Sequence, residues 1–469
     1  MPHIEENIQK KDHKEIEYHM KQMTYKETRE YLEEKSGRGS VLGLDGIKEL
    51  CKRLGNPQDH LKFIHVAGTN GKGSTIAYLS SILKSAGYQV GTYISPVILN
   101  EREKFQINGK LILAREYADV MSRVREAADQ MEEEGYPYPT VFELETATGF
   151  CYFQDKNCDV VILETGMGGD MDATNLVKTT MVSVFVSISM DHMAFLGNTL
   201  SEIAEKKAGI IKPGADVVST WQPEEVQQVL NREAGNKKAE KILFASRDRL
   251  GKVKYGLEKQ RFDYGCASGN VYRRMEIALA GTVQIDNAAL ALEVVECLKE
   301  RGFYLPEDKV RKGLFQTKWP GRLEIIAKKP YFLVDGAHNE DAAKRLAQAI
   351  HFYFTNKKIV YIMGILKDKE YEKIIAETSA YAEQIITIAT PDRKRTLSSH
   401  ELALAVKEYH PNVTEASSLE EAVEIAYLLA GKEDVIIAFG SLSYLGALKK
   451  IMADRSGQHG KSGKSKRSH

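Results

Sequence analysis

Residues 63–87 read FIHVAGTNGKGSTIAYLSSILKSAG and contain, in order, a mostly apolar run, a glycine-rich turn and a helical pattern. The run FIHVA is typical of a buried strand. In the pattern that follows the turn, Ile76, Leu79 and Leu83 share one helical face. Gly87 then suits the position just after the end of a helix. The stretch therefore predicts a strand–turn–helix unit of an α/β sheet.

The turn Gly68-Thr69-Asn70-Gly71-Lys72-Gly73-Ser74 predicts a phosphate-binding loop. Its glycines allow backbone N–H groups to face phosphate oxygens, and the start of the helix adds its dipole. Lys72 would neutralise phosphate charge, and the Ser74 hydroxyl can bind Mg²⁺. The loop is shorter than the common G-x-x-x-x-G-K-[ST] pattern, so that template does not fit. A glycine-rich surface turn is the alternative, which the flanking strand and helix disfavour.

The rest of the chain repeats the alternation of strands and helices in two blocks. Strands are predicted at residues 90–94, 160–163 and 182–188 in the first block, and at 331–334, 358–363, 384–389 and 435–439 in the second. Strands that alternate with helices indicate largely parallel sheets covered by helices. Residues 217–279, between the blocks, are expected to be mixed and irregular. The predicted fold class is therefore α/β, in two domains.

The domain boundaries follow from where the alternation starts and stops. We expect a first domain at residues 24–316 and a second, smaller one at residues 317–453, joined by a hinge at residues 315–322. Residues 1–23 are predicted to be a charged extension. Residues 454–469 contain Gly, Ser, Lys and His with almost nothing apolar, which predicts a disordered basic tail.

Composition and charge exclude several classes of function. The 469 residues include 65 Lys and Arg and 65 Asp and Glu, so the net charge is zero and no nucleic-acid partner is expected. No stretch approaches the ~20 apolar residues that span a bilayer, and residues 1–23 lack a signal-peptide core. We therefore expect a cytoplasmic protein without membrane contact. The five cysteines are scattered and odd in number, which predicts reduced, buried thiols.

Side chains at the ends of predicted strands are candidates for a metal site beside the phosphate loop. Glu164 ends the strand VVIL, whereas Glu143 lies at the start of a predicted helix, and spacing alone favours Glu164. Asp191 and His192 follow the strand VSVFVSIS, at the edge where open α/β sheets bind ligands. A purely structural Asp-His pair is an equal alternative.

Taken together, these motifs resemble the folylpolyglutamate synthase family, part of the Mur ligase superfamily of ATP-dependent amide-bond-forming enzymes. The resemblance covers residues 24–446 and rests on motifs in family order: LGNPQDHLKFIHVAGTNGKGS, YISP with NERE and ING, FELETA, ETGMGGDMDATN, SMDHMAFLG, KKAGIIKPG, QIDNAALA, WPGRLE, VDGAHN and FGSLSYLG. It implies a Mur-ligase-like fold, in which a P-loop-type parallel-sheet ATPase domain precedes a smaller Rossmann-like glutamate-ligase domain.

The resemblance also implies which residues bind ATP and metal. The implied ATP-binding residues are Thr69, Asn70, Gly71, Lys72, Gly73, Ser74, Asn287, Arg322 and Asp335. Two Mg²⁺ ions would be held by Ser74, Glu143 and His192. In this respect the resemblance overrides the preference for Glu164 that spacing gives.

Further residues are implied to act in catalysis or to hold glutamate. Lys207, which charge alone would place in solvent, matches a lysine that relatives carry as a carbamate, an anion that supports Mg²⁺. It is implied as a catalytic residue together with Lys72 and His338. His338 and Ser441 are the candidates for holding the incoming glutamate.

The implied reaction adds L-glutamate to a reduced folate through a γ-linked amide. The γ-carboxylate of the folate is first phosphorylated by ATP, and the α-amine of glutamate then attacks the acyl phosphate. Closure of the two domains would keep water away from that intermediate. The partners are therefore expected to be small molecules only, and the enzyme is expected to be a monomer.

Two departures from the family pattern lead to an alternative function. The chain reads Ser95-Pro96-Val97-Ile98 where many relatives read SPHL, and Asp170 stands where many have Arg. Some family members also make dihydrofolate from dihydropteroate and glutamate. We favour polyglutamylation and keep the bifunctional enzyme as the alternative. A GTPase-like switch is disfavoured, because no N-K-x-D base-reading motif is evident.

Overall fold

The computed structural model describes residues 22–36, 43–97, 100–191, 193–392 and 395–462. The first sheet contains β1 (Phe63–Ala67), β2 (Val90–Tyr93), β3 (Phe105–Ile107), β4 (Lys110–Leu111), β5 (Val160–Glu164), β6 (Thr180–Phe185), β7 (Asp216–Ser219) and β8 (Lys241–Phe244). The helices of this part are α1 (Tyr25–Lys35), α2 (Asp45–Arg53), α3 (Lys72–Ser85), α4 (Ala114–Glu133), α5 (Val141–Asp155), α6 (Met193–Leu196), α7 (Leu200–Ala208) and α8 (Glu224–Asn236).

Strand β1 lies inside the first sheet, whose order is β4-β3-β2-β5-β1-β6-β7-β8. It pairs in parallel with β5 on one side and with β6 on the other. Only the β2–β3 and β3–β4 pairs of this sheet are antiparallel. The carboxyl ends of β5, β1 and β6 therefore meet at one edge, directly beside the glycine-rich turn.

The two faces of this sheet bury different helices. Successive strand residues point to opposite faces, so Ile64 packs in one core with Ile76 and Leu79 of α3, whereas Phe63 packs in another with Leu144 of α5. Helix α5 begins with a capping box between Thr140 and Glu143, and α7 begins with one between Thr199 and Glu202. Each cap satisfies backbone N–H groups that the first helical turn leaves free.

Residues 217–279 are regular, and the prediction of an irregular segment is wrong. After β7, α8 and β8, the strands β9 (Leu250–Lys254), β10 (Gln260–Gly265) and β11 (Val271–Ile277) form a three-stranded antiparallel sheet. Two helices follow, α9 (Val283–Glu300) and α10 (Glu307–Gln316). Helix α10 packs on α3 so closely that a Cβ atom on Gly313 would lie 2.4 Å from the Cα of Ile82.

A second sheet forms the carboxyl-terminal part. Its strands are β12 (Glu324–Lys328), β13 (Tyr331–Val334), β14 (Ile359–Met363), β15 (Gln384–Thr387), β16 (Val413–Glu415) and β17 (Val435–Phe439), in the order β12-β13-β17-β14-β15-β16. All neighbours except β12 and β13 are parallel. The helices are α11 (Glu340–Tyr353), α12 (Tyr371–Thr378), α13 (Ser399–Lys407), α14 (Leu419–Leu429) and α15 (Leu445–Ser462).

The predicted α/β fold class is confirmed, and one terminal prediction needs correction. Helix α15 continues to Ser462, so residues 454–462 are helical and do not belong to a disordered tail. Residues 463–469 and most of the predicted extension, residues 1–21, lie outside the described part. No helix among the described residues is long and apolar enough to cross a membrane.

Candidate active site

The glycine-rich turn lies in contact with three other parts of the chain. A Cβ atom on Gly68, whose φ is +140°, would lie 2.2 Å from Val186 Cγ2. A Cβ on Gly73 would lie 2.3 Å from the Trp319 ring. Gly71 has a φ of +105° and forms the N-cap of α3, and a Cβ there would lie 2.8 Å from Asn287 Oδ1. Both the backbone conformation and the lack of space therefore require glycines in this loop.

The Lys72 side chain folds back over the loop toward a buried carboxylate. Its Nζ donates to the carbonyl oxygen of Gly68 at 3.1 Å and lies 3.9 Å from Glu164 Oε1. Glu164 ends β5 and accepts a hydrogen bond from the Ser95 backbone N–H at 3.0 Å. Burial raises the pKa of the Glu164 carboxyl, and the positive charge of Lys72 opposes that rise. The structure thus brings Glu164, the residue that spacing favours, to the phosphate loop.

Lys207 points at the same carbonyl oxygen from α7. Only 4% of the residue is exposed, and its Nζ donates to the Gly68 carbonyl oxygen at 3.1 Å. Burial, together with the positive charge of Lys72, lowers the pKa of Lys207 from 10.5 to about 7. A large share of this side chain is therefore a neutral amine near pH 7.

Glu143, which the resemblance implies as a metal ligand, is engaged at the start of its own helix. Its Oε2 accepts hydrogen bonds from the Thr140 backbone N–H at 2.8 Å and from the Thr140 hydroxyl at 2.9 Å. Its helix, α5, packs on the sheet face opposite α3. The Glu143 carboxylate thus caps its own helix, and no described contact joins it to Ser74.

The Asp191-His192 segment is only partly described. His192, one of the predicted metal ligands, lies outside the described residues, and Asp191 immediately precedes it. Among the residues that the structure does describe, no three His, Cys, Asp or Glu side chains are grouped so as to hold a metal ion. The metal ligands therefore stay predictions.

On the second-domain side, Asp335 organises the segment that carries Arg322. Its carboxylate accepts hydrogen bonds from the backbone N–H groups of Leu323 and Ala337, each at 2.8 Å. Gly336 leaves room for the guanidinium, because a Cβ there would lie 2.2 Å from Arg322 Nη1. Burial raises the pKa of Asp335, and Arg322 partly offsets that rise.

His338 is held as a neutral imidazole at the end of β13. Its Nδ1 lies 2.7 Å from the Gly336 carbonyl oxygen. Since a carbonyl can only accept, Nδ1 carries the hydrogen and Nε2 is left as an acceptor. Burial and the nearby charges of Lys369 and Arg322 lower the pKa of His338 to about 4.

Ser441 follows the neighbouring strand β17. The Gly440 backbone N–H donates to the Ala337 carbonyl oxygen at 3.0 Å, so the loops after β13 and β17 lie side by side. The Ser441 hydroxyl lies 2.9 Å from that of Ser443. Ser441 and His338 therefore share one sheet edge.

A cleft between the two sheets brings most of the predicted ATP-binding residues together. Residues on both sides line it, including Asn70, Gly71, Ser74, Asn287, Arg322, Asp335 and His338. Gln284 Nε2 lies 3.3 Å from Ser74 Oγ, and Gln284 Oε1 accepts from Asn287 Nδ2 at 3.2 Å. The start of α9 thus faces the phosphate loop across the cleft.

Some residues of this cleft escape prediction from the sequence. Gln284 carries no signal apart from its place three residues before Asn287. Asp341 and Arg345 match an ordinary i,i+4 ion pair of an exposed helix, which most often lies in solvent. Here Arg345 lines the cleft, and both residues contact the first domain.

Two family models match the chain. The Mur ligase middle domain matches residues 66–295, and the Mur ligase, glutamate ligase domain matches residues 321–442. These two stretches carry the phosphate loop and the Arg322–Ser441 side of the cleft, respectively.

Characterised proteins with similar sequences and structures agree with these matches. The dihydrofolate synthase/folylpolyglutamate synthase of Bacillus subtilis is 34% identical over 430 residues, which cover 91% of this chain and 98% of the relative. The folylpolyglutamate synthase of Lacticaseibacillus casei is 33% identical over 353 residues, 75% of this chain and 82% of the relative. The crystal structure of the Mycobacterium tuberculosis folylpolyglutamate synthase, complexed with ADP and AMPPCP, superposes with a TM-score of 0.84 at 28% identity, over 91% of this chain and 98% of that one.

Replacing Lys207 by methionine is expected to stabilise the protein, and most strongly at low pH. Because the pKa of Lys207 is about 7 in the folded protein against an ordinary 10.5, the unfolded chain binds more protons between these values. Below pH 7 the folded protein therefore bears the whole free-energy cost of burying the Lys207 ammonium group. This cost decreases as the pH rises toward 10.5. We expect Lys207→Met to raise the free energy of unfolding by on the order of 2 kcal/mol at pH 6, and by less at pH 9.

Urea denaturation in bicarbonate-free buffer at the two pH values measures this difference. Lys206→Met is the matched control, because Lys206 is half exposed and pairs with Asp170 at 3.1 Å. Equal gains at pH 6 and pH 9 for Lys207→Met would contradict the assigned pKa.

Proposed function

This chain belongs to the folylpolyglutamate synthase and dihydrofolate synthase family of the Mur ligase superfamily, and on that premise we propose how its residues perform the reaction. It is an ATP-dependent, ADP-forming ligase that joins L-glutamate to a folate. Its substrates are small molecules. The finer proposal is a dedicated folylpolyglutamate synthase that forms γ-linked amides on reduced folates. The cytosolic location and the monomeric state stay predictions.

The main support for this proposal is that residues of the phosphate loop and Arg322 line the same cleft. The γ-carboxylate of the folate attacks the γ-phosphorus of ATP, the bond to the β-phosphate oxygen breaks, and ADP leaves with the electron pair. Lys72 from one side and Arg322 from the other stabilise the charge on the transferring group. Asn287 and Asp335 orient the nucleoside part of ATP in the same cleft.

The second step is the attack of the glutamate α-amine on the acyl phosphate. His338 and Ser441, at the edge formed by β13 and β17, bind the incoming glutamate. Since the imidazole is neutral and Nδ1 is engaged, Nε2 accepts a hydrogen bond from the amine and orients its lone pair. The C–O bond to the phosphate then breaks, the leaving phosphate takes the electron pair and the proton from the nitrogen, and the amide remains.

We propose that Ser74 and Glu164, with His192, hold Mg²⁺. A hydroxyl and a carboxylate are the hard oxygen donors that Mg²⁺ prefers, and Glu164 lies beside the phosphate loop, 3.9 Å from Lys72. When bound, Mg²⁺ neutralises triphosphate charge. Glu143, which the family resemblance implies as the ligand, is the alternative; its Oε2 caps α5. A second Mg²⁺ is proposed from the family resemblance alone.

Lys207 is proposed to carry a carbamate. The neutral amine attacks CO₂, a proton is released, and the side chain becomes an anion. Its pKa of about 7 supports this proposal, because only the unprotonated amine reacts. The change also removes the repulsion between two ammonium groups that share the Gly68 carbonyl oxygen. The resulting anion lies where it can support a cation bound at the loop.

Mass spectrometry of the products tests the proposed substrate. With ATP, Mg²⁺ and glutamate, we expect glutamate to be added to tetrahydrofolate and not to dihydropteroate, since the loop at Ser95–Ile98 departs from the family pattern. Lys72→Met, which lacks the phosphate-neutralising charge, serves as the inactive control. Product from both acceptors would instead favour the bifunctional alternative. Product from neither acceptor would overturn the proposal.

Substituting each glutamate by glutamine separates the two candidate metal ligands. Glu164→Gln is expected to raise the Mg²⁺ concentration for half-maximal activity by at least about tenfold. Glu143→Gln should change it little, because glutamine also completes a capping box at this position. Steady-state rates measured against Mg²⁺ concentration give both values. The opposite ranking would favour Glu143.

The carbamate is tested by NMR with ¹³C-labelled bicarbonate. We expect a carbamate carbon signal in the unmodified enzyme and in Lys206→Met, and its loss in Lys207→Met. Enzyme depleted of CO₂ should lose activity and regain it when bicarbonate is added. A signal that persists in Lys207→Met would assign the carbamate to another lysine, and no signal in any variant would refute it.

A further inference from the structure

Two residues of α11 contact the phosphate loop from the second domain. Asp341 and Arg345 lie one helical turn apart and form an ion pair, with Arg345 Nε 3.1 Å from Asp341 Oδ2. Asp341 Oδ2 accepts a hydrogen bond from Asn70 Nδ2 at 2.6 Å. Arg345 Nη2 donates to Ser187 Oγ at 2.9 Å. We call Asp341 and Arg345 the α11 clamp.

The clamp fixes Asn70 at both its side chain and its main chain. Asp341 holds the side-chain amide directly. The hydroxyl of Ser187, which accepts from Arg345, in turn donates to the Asn70 carbonyl oxygen at 3.0 Å. The Thr69 backbone N–H also donates to the Ser187 carbonyl oxygen at 2.7 Å. The orientation of the peptide groups just before Gly71 and α3 therefore depends on a helix of the other domain.

The position of the clamp suggests what it does. Backbone N–H groups of the loop bind phosphate only if the loop keeps one conformation. The Asp341 carboxylate would repel phosphate if its charge were not compensated. Here Arg345 balances that charge, and Asn70 donates a hydrogen bond to the carboxylate. The clamp thus presets the loop when the second domain lies against it.

We propose that Asp341 and Arg345 are positioning residues for ATP binding: they hold Asn70 in the phosphate-binding conformation and so couple the docking of the second domain to nucleotide affinity. The proposal rests on the proposed function, in which Asn70 belongs to the ATP site. Residues of the clamp act through Asn70 and Ser187, and they need not touch the reacting atoms.

The same helix offers a matched control pair. Glu340 and Lys344 precede the clamp residues by one position each and form their own i,i+4 ion pair at 2.6 Å. Their other ion-pair partners, Lys373 and Glu377, lie in the second domain. Substitutions there change the charge and stability of α11 to a similar degree but leave the phosphate loop untouched.

The experiment measures the equilibrium Kd of ADP and the KM for ATP in Asp341→Ala, Asp341→Asn and Arg345→Met, with Glu340→Ala and Lys344→Met as controls. Loss of a charged hydrogen bond to Asn70 is expected to weaken ADP binding and to raise the KM for ATP by about tenfold in Asp341→Ala. The value of kcat at saturating ATP should fall less. Asp341→Asn keeps an acceptor for Asn70 and should recover part of the affinity.

A double-mutant cycle distinguishes positioning from general destabilisation. In an Asn70→Ala background, Asp341→Ala should weaken ADP binding no further, because the clamp has lost its target. An equal loss of affinity in the Asp341 and Glu340 variants, or a full extra loss in the Asn70→Ala background, would overturn the proposal. ADP binding needs no turnover, so this outcome is independent of whether the product assay supports the folate substrate.

Discussion

The rest of the structure depends on the glycines of the phosphate loop, because neighbouring residues occupy the space that side chains would need. Cβ atoms at Gly68, Gly71 and Gly73 would lie 2.2, 2.8 and 2.3 Å from Val186, Asn287 and Trp319, respectively. These three partners come from the end of β6, from α9 and from the connection between the two sheets. A loop with larger residues would push all three away at once. The space left by the glycines therefore lets the first sheet, helix α9 and the connection to the second domain meet at one point.

The charges around this loop suit the binding of an anion. Two lysines, Lys72 and Lys207, direct their amino groups at the single carbonyl oxygen of Gly68, and the positive charge of Lys72 adds to the effect of burial in lowering the pKa of Lys207. Glu164 offsets part of this charge at 3.9 Å from Lys72. A triphosphate would supply the remaining negative charge, and a carbamate on Lys207 would remove one positive charge. Affinity for ATP and the protonation state of Lys207 are thus linked through one short loop.

Helices and strands of this protein could mostly be predicted from neighbouring residues. The site, in contrast, is formed by contacts between residues that are far apart in the sequence. The strand–turn–helix unit at residues 63–87 follows from neighbouring residues, and the structure confirms it. The sheet formed by β9, β10 and β11 escaped prediction, because antiparallel pairing depends on partners that local periodicity does not reveal. Lys207 would belong in solvent by its charge alone. In the structure it is buried, and the loop after β5 lies tightly against the end of α7: a Cβ on Gly169 would lie 2.6 Å from the Lys207 carbonyl oxygen, and a Cβ on Gly209 2.2 Å from the Asp170 Cα.

Arg322 is the last residue of the predicted hinge at residues 315–322, and the segment that follows it is held by Asp335. Leu323 has a φ of +42°, a strained conformation for a residue with a side chain, and its N–H is held by Asp335. Since Arg322 belongs to the predicted hinge, we expect it to move less than His338, Ser441 and the α11 clamp when the two domains rotate. In the proposed reaction, docking of the second domain brings the α11 clamp to Asn70 and the proposed glutamate-binding edge toward the cleft in one movement. ATP is then held most firmly when the second substrate is in place to react.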